Sequence, residues 1–277
     1  FSGAQTLALT GTHGSYATAA PSSDPYLHQE ILEVLHHTLC ETVHHFLDGP
    51  VPHEDDGDRD GEAYEATAAG LDDHGSDDYG SDLLDRVSSS ILARARQAER
   101  LREQVARESA EAIATVAEAI RQRISGGGRI LLFGNGGSAT DANDWALDCS
   151  LPLKDFPPLP ALSLAAESST APTPTSAIPL AANGNPGFVH QLASFGRPED
   201  VAVAISTTRK AGEMVRPLER SRQMGMLNVA LLGHDGGDVV RHGLADHPLV
   251  VHSEEVPRIQ EVHASIYHTI LEVIAEG

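Results

Sequence analysis

Residues 129–133 read Arg-Ile-Leu-Leu-Phe, and they run straight into Gly134-Asn135-Gly136-Gly137-Ser138 before a stretch with helical character over 140–150. A short apolar run that turns on glycines into a helix is the start of a unit of parallel sheet, because a strand buried on both faces needs helices to cover it. The pattern recurs downstream. Residues 160–165, 201–206, 227–232 and 248–252 read as strands, and helices are expected near 187–195, 212–225, after 237 and over 257–275. Five strands alternating with helices predict an α/β fold, a parallel five-stranded sheet flanked by helices.

Ahead of this unit the chain divides by composition. Residues 25–48 are amphipathic, with Asp24 as the expected N-cap, Pro25 at the first helical position and Gly49-Pro50 as the stop. Between Glu54 and Asp82 there are twelve acidic residues against a single Arg59, few large apolar side chains and several glycines. Such a segment cannot bury enough surface to order itself, so 51–82 is expected to be an acidic linker. Residues 83–125 then carry an apolar stripe that predicts one long helix or two, ending at Gly126-Gly127-Gly128.

Residues 1–50 echo the end of the chain. Leu7–Gly14 aligns with Val229–Gly236, Gln29-Glu30 with Gln260-Glu261, and His37-Thr38 with His268-Thr269, eight residues beyond each glutamine. Strand, glycine turn and helix recur in one order, which marks an internal repeat. Residues 1–50 are therefore expected to be a partial copy, the C-terminal part of a domain whose complete form is 83–277. The first copy lacks the glycine-rich turn and cannot form a full site alone.

The net charge of −21 argues against a nucleic-acid partner, because a phosphate backbone would be repelled. No apolar run is long enough to span a bilayer, and no signal-peptide pattern opens the sequence. Cys40 and Cys149 are too few and too far apart for a disulfide framework, so they read as reduced thiols in a cytoplasmic protein.

Three groups of residues can carry chemistry. The turn Gly134–Ser138 offers backbone N–H groups and a helix N-terminus to an anion, or it is a plain strand-to-helix turn. Ser206-Thr207-Thr208 follows another strand with three hydroxyls, and Arg209 and Lys210 come next; this is an anion loop or a solvated turn. Asp144 and Asp148 stand at i, i+4 on one helix face, and Gln260 and His268 lie eight apart on the last helix. Taken singly, these four read as a solvated acidic face and a satisfied core histidine.

Together, Gly134–Ala142, the turn at Ile205-Ser206-Thr207, Gly196–Val201, the Asp235-Gly236-Gly237 turn and Arg258–His263 with His268 resemble bacterial phosphoheptose isomerases, which have the SIS-type, flavodoxin-like fold. The resemblance covers about residues 85–277. It implies an aldose–ketose isomerase that converts D-sedoheptulose 7-phosphate to D-glycero-D-manno-heptose 7-phosphate through an enediol, for heptose biosynthesis, as a homo-oligomer with zinc. It further implies that Asn135, Gly136, Gly137, Ser138, Asn183 and Gln260 lie against substrate and that Ser206, Thr207 and Thr208 hold the phosphate. Asp148 would be the base and His268 its acid–base partner. Asp144, Asp148, Gln260 and His268 would be the metal ligands. Two of those positions depart from the family, which has a His and a Glu where this chain has Asp144 and Asp148. The oxygen-rich set suits zinc or a harder cation. A second reading, a sugar-phosphate sensor or assembly protein on the same fold, is kept beside the first.

Overall fold

The structure is a computed structural model that describes residues 7–8, 16–17, 23–48, 76–165 and 186–276. It divides into two units. One comprises Phe1–Pro21 with Ile31–Gln97, and the other Ser22–Glu30 with Ala98–Gly277.

In the first unit, β1 (Leu7–Ala8) pairs in parallel with β2 (Tyr16–Ala17). Most of helix α1 (Pro25–Asp48) belongs here, as does the beginning of α2 (Ser76–Ser125). Helix α2 is one continuous helix of 50 residues. It starts at Ser76, inside the stretch expected to be linker, so that expectation is corrected at its C-terminal end. The sequence there, Ser76-Asp77-Asp78, suits a helix start, because negative charge is favoured in the first turn. Residues 51–75 lie outside the described residues.

The second unit holds the sheet. Its strands are β3 (Ile130–Gly134), β4 (Ala161–Ser163), β5 (Val201–Ser206), β6 (Leu227–Gly233) and β7 (His247–Val251). All are parallel, in the order β4-β3-β5-β6-β7. Every residue of β3 and β5 is buried, as the unbroken apolar runs require of strands covered on both faces. The helices are α3 (Gly137–Ser150), α4 (Pro186–Phe195), α5 (Val215–Gln223, after a 3₁₀ turn at Gly212–Met214), α6 (Gly237–Arg241) and α7 (Val256–Glu276). The expected five-stranded α/β fold is the one observed.

The strand order reverses between β3 and β5. Ligands of open parallel sheets bind outside the carboxyl ends of strands at such a switch point. The loop after β3 is Gly134–Ser138 and the loop after β5 begins at Ser206, so the two expected anion loops sit side by side there. No helix among the described residues is long and apolar enough to cross a membrane.

The start of α1 is part of this second unit. Asp24 caps it as expected, its Oδ1 accepting from the N–H of Tyr26 at 3.0 Å and of Leu27 at 3.2 Å. Lys154 then fastens the segment. Its ammonium donates to Asp24 at 2.9 Å and to Glu272 of α7, and it lies 4.9 Å from the centre of the Tyr26 ring. The Tyr26 ring joins the core, only 2% exposed.

Candidate active site

The glycine turn is built by close approach. Gly136 has φ of +57°, which side chains rarely adopt, and Gly137 lies so near Gln260 that a Cβ would stand 2.6 Å from Oε1. Gln260 uses this space. Its amide donates to Gly137 O at 3.1 Å, to Thr140 Oγ1 at 3.3 Å and to Asp141 Oδ1 at 3.0 Å. Asn135, Gly136 and Gly137 are exposed at the helix entrance, and Ser138 is buried behind them. Asp141, which sequence reasoning passed over, is buried in this corner. Burial above all pushes its carboxyl up to about 7, against the opposing hydrogen bond from Gln260.

Farther along α3, Asp148 faces α7. Its Oδ2 lies 3.5 Å from Nε2 of His268, and the two residues are 3% and 2% exposed. Among the described residues, neither atom has another hydrogen-bond partner. These are the two residues that the resemblance names as base and acid–base partner, and the fold sets them together. Asp144, one turn earlier on the same helix, opens to solvent; desolvation first and the charge of Asp148 second raise its carboxyl above the usual range.

His268 is held on its other sides by groups that sequence reasoning did not assign to a site. Glu30 of α1 accepts at Oε1 from Nδ1, 2.9 Å away. The Tyr26 ring stacks on the imidazole with centroids 4.3 Å apart, and Tyr267 meets it edge-on at 4.5 Å. Burial alone would lower the imidazole pKa. The interactions with Asp148 and Glu30 outweigh it, and the net direction is upward.

The loop after β5 holds a resident acid. Ser206 and Thr208 both donate their hydroxyls to the carboxylate of Glu213, Thr208 at 3.0 Å. Thr208 Oγ1 also accepts from the N–H of Ala211 at 3.1 Å. Thr207 is half-buried, with its carbonyl 3.1 Å from Nε2 of His234. Arg209 is turned away toward Glu254. Asn183 lies outside the described residues.

The four expected metal ligands do not close on one ion as arranged. Gln260 and His268 are eight residues apart on α7, about 12 Å along the axis, and they address opposite ends of α3. The Gln260 amide is spent on Gly137, Thr140 and Asp141. No group of three His, Cys, Asp or Glu side chains among the described residues stands ready to hold a metal. The Asp148–His268 pair has the separation of two neighbouring ligands of a tetrahedral ion, roughly 3.4 Å for bonds near 2.1 Å.

The SIS domain family matches residues 95–233. A phosphoheptose isomerase of Chlorobaculum parvum is 35% identical over 196 residues, which cover 68% of this chain and 90% of that protein. One from Thermodesulfovibrio yellowstonii is 32% identical over 178 residues, covering 64% of this chain and 86% of its own. Among solved structures, the phosphoheptose isomerase of Neisseria gonorrhoeae superposes with a TM-score of 0.59 at 26% identity, covering 69% of this chain and all of its own. That of Francisella tularensis gives 0.59 at 25% identity, over 68% and 98%.

Proposed function

This chain belongs to the SIS domain family, its relatives make it a sugar-phosphate isomerase, and from that premise we propose that its substrate is D-sedoheptulose 7-phosphate and its product D-glycero-D-manno-heptose 7-phosphate. The observation that carries the reading is the buried Asp148 carboxylate facing the His268 imidazole at 3.5 Å. An aldose–ketose isomerisation needs a base for carbon and an acid for oxygen in one dry place, and this pair supplies both.

The phosphate is received at the adjoining turns after β3 and β5, where backbone N–H groups and hydroxyls converge at the switch point. Asp148 takes the proton from C1 of the ketose while the imidazolium of His268 gives a proton to the carbonyl oxygen at C2. The product of this half is the enediol. Asp148 then returns its proton to C2, His268 accepts the O1 proton, and the aldose forms with both side chains restored. The upward direction of the His268 pKa supports its starting as the acid. No step passes through zinc, since the donor set does not close on one ion as arranged.

A homo-oligomer belongs to the same proposal. Leu147, Leu151 and Leu153 are 54%, 67% and 47% exposed within seven residues, an apolar patch suited to another subunit. The cytoplasmic reading is supported by the free thiols of Cys40 and Cys149. The experiment is a turnover assay of the full chain with D-sedoheptulose 7-phosphate, with and without added zinc. Conversion to the heptose phosphate is expected, and binding without conversion under both conditions would reject the reading.

A further inference from the structure

We propose that Glu30, contributed by the N-terminal partial copy, is a positioning residue of the active site: its carboxylate holds the Nδ1–H of His268 and so turns Nε2 toward Asp148. The inference rests on the functional reading above and assigns it a residue that lies far outside the matched family region of 95–233.

The geometry is that of a three-member line. Glu30 Oε1 is 2.9 Å from Nδ1 of His268, and Nε2 on the opposite side of the ring is 3.5 Å from Asp148 Oδ2. An imidazole that donates from Nδ1 to a fixed carboxylate has its ring plane and its other nitrogen fixed as well. The carboxylate is itself held. Its Oε2 accepts from the hydroxyl of Ser265 at 2.6 Å, and the Arg102 guanidinium stands 3.5 Å away. Arg102 also donates to Ser265 Oγ at 2.8 Å and to the Glu261 carbonyl at 3.2 Å, which locks the cluster to α7. Tyr26, one turn before Glu30, covers one face of the ring and shields it from water.

The segment that delivers Glu30 is anchored independently, by the Asp24 cap and by Lys154. In the repeat, Gln29-Glu30 matches Gln260-Glu261. The acid that the full copy keeps in an ion pair with Arg258 at 2.7 Å is, in the partial copy, turned to the histidine of the other. The incomplete repeat thus has a task that does not require it to form a site of its own.

The test uses the full chain and three variants, Glu30→Gln, Glu30→Ala and His268→Gln. Proton NMR of the wild type is expected to show a far-downfield imidazole N–H resonance that disappears in His268→Gln and in Glu30→Ala and survives in Glu30→Gln, whose amide oxygen can still accept. Steady-state kinetics with D-sedoheptulose 7-phosphate are expected to show kcat lower by about 10–100-fold in Glu30→Ala with KM little changed, and largely rescued in Glu30→Gln. Persistence of the resonance in Glu30→Ala, or a kcat for that variant equal to wild type, would overturn the proposal. If Glu30→Ala fails to fold, the resonance in Glu30→Gln decides. Absence of turnover in the wild type would defeat the isomerase reading, while the resonance would still settle the role of Glu30.

Discussion

Ser206 donates its hydroxyl to Glu213 seven residues later, and Thr208 donates to the same carboxylate. The acid thus takes up two hydroxyls that the phosphate of a substrate would be expected to claim. A phosphate arriving beside this carboxylate meets like charge, and Arg209 is drawn off to Glu254. Replacing Glu213 by Gln removes the repulsion and keeps the shape. Isothermal calorimetry with inorganic phosphate is expected to show affinity rising about tenfold, or about 1.4 kcal/mol. Unchanged affinity would mean that the phosphate binds elsewhere.

The Asp148–His268 pair gives the most direct prediction for turnover. Asp148→Asn keeps the size of the side chain and removes the base, and His268→Ala removes the acid. Each is expected to lower kcat by about 10²–10⁴-fold, the range for a lost general acid or base. Circular dichroism should report the native fold in both. Wild-type turnover in both variants would remove the pair from the mechanism.

The sheet and its helices were legible because a buried parallel strand cannot disguise itself. The strand Val201–Ser206 is apolar up to Ile205 and is buried throughout. The cap at Asp24 and the stop after Asp48 were local signals of the same clarity. The pairing of Asp148 with His268 was legible only through family resemblance, since nothing in the sequence of α3 says which face meets α7. Glu30 and Glu213 were not legible. A carboxylate becomes a site residue when the fold lays it 2.9 Å from an imidazole, and no spacing along 238 residues announces that contact. The placement of the expected metal ligands was not legible for a related reason. The i, i+8 spacing of Gln260 and His268 gives one helix face, but the helix rise carries them to different ends of α3.

Asp200 should matter to stability and not to catalysis. It is wholly buried at the start of β5, at the end of the sheet remote from the glycine turn. Its carboxylate accepts from Arg129 N at 2.9 Å, from the Arg129 guanidinium at 2.8 Å and from Arg197 N at 3.0 Å. Asp200→Ala removes the shared acceptor of these donors, while the Arg129 guanidinium, 30% exposed, keeps the Phe195 carbonyl and reaches water. A loss of about 1–3 kcal/mol is expected in urea unfolding, with kcat of the surviving folded fraction unchanged.

His263 sets a pH limit on the fold. It is fully buried on α7, and burial pushes its imidazole down to about 4, with the Leu232 backbone carbonyl opposing. In the unfolded chain it titrates near 6.5. Between those two values the unfolded chain takes up a proton that the folded one refuses, so stability drains away as pH falls from 6.5 toward 4. Below the lower value both states are protonated and the loss stops growing. The full effect is about 3 kcal/mol at that end of the window. Other groups titrate in the same range, so the measurement is a difference: urea unfolding of the wild type and of His263→Leu, compared at neutral pH and at pH values down to about 4. The wild type should lose more stability than the variant by that amount. Parallel curves for the two proteins would show that the imidazole is protonated as readily inside the fold as outside it.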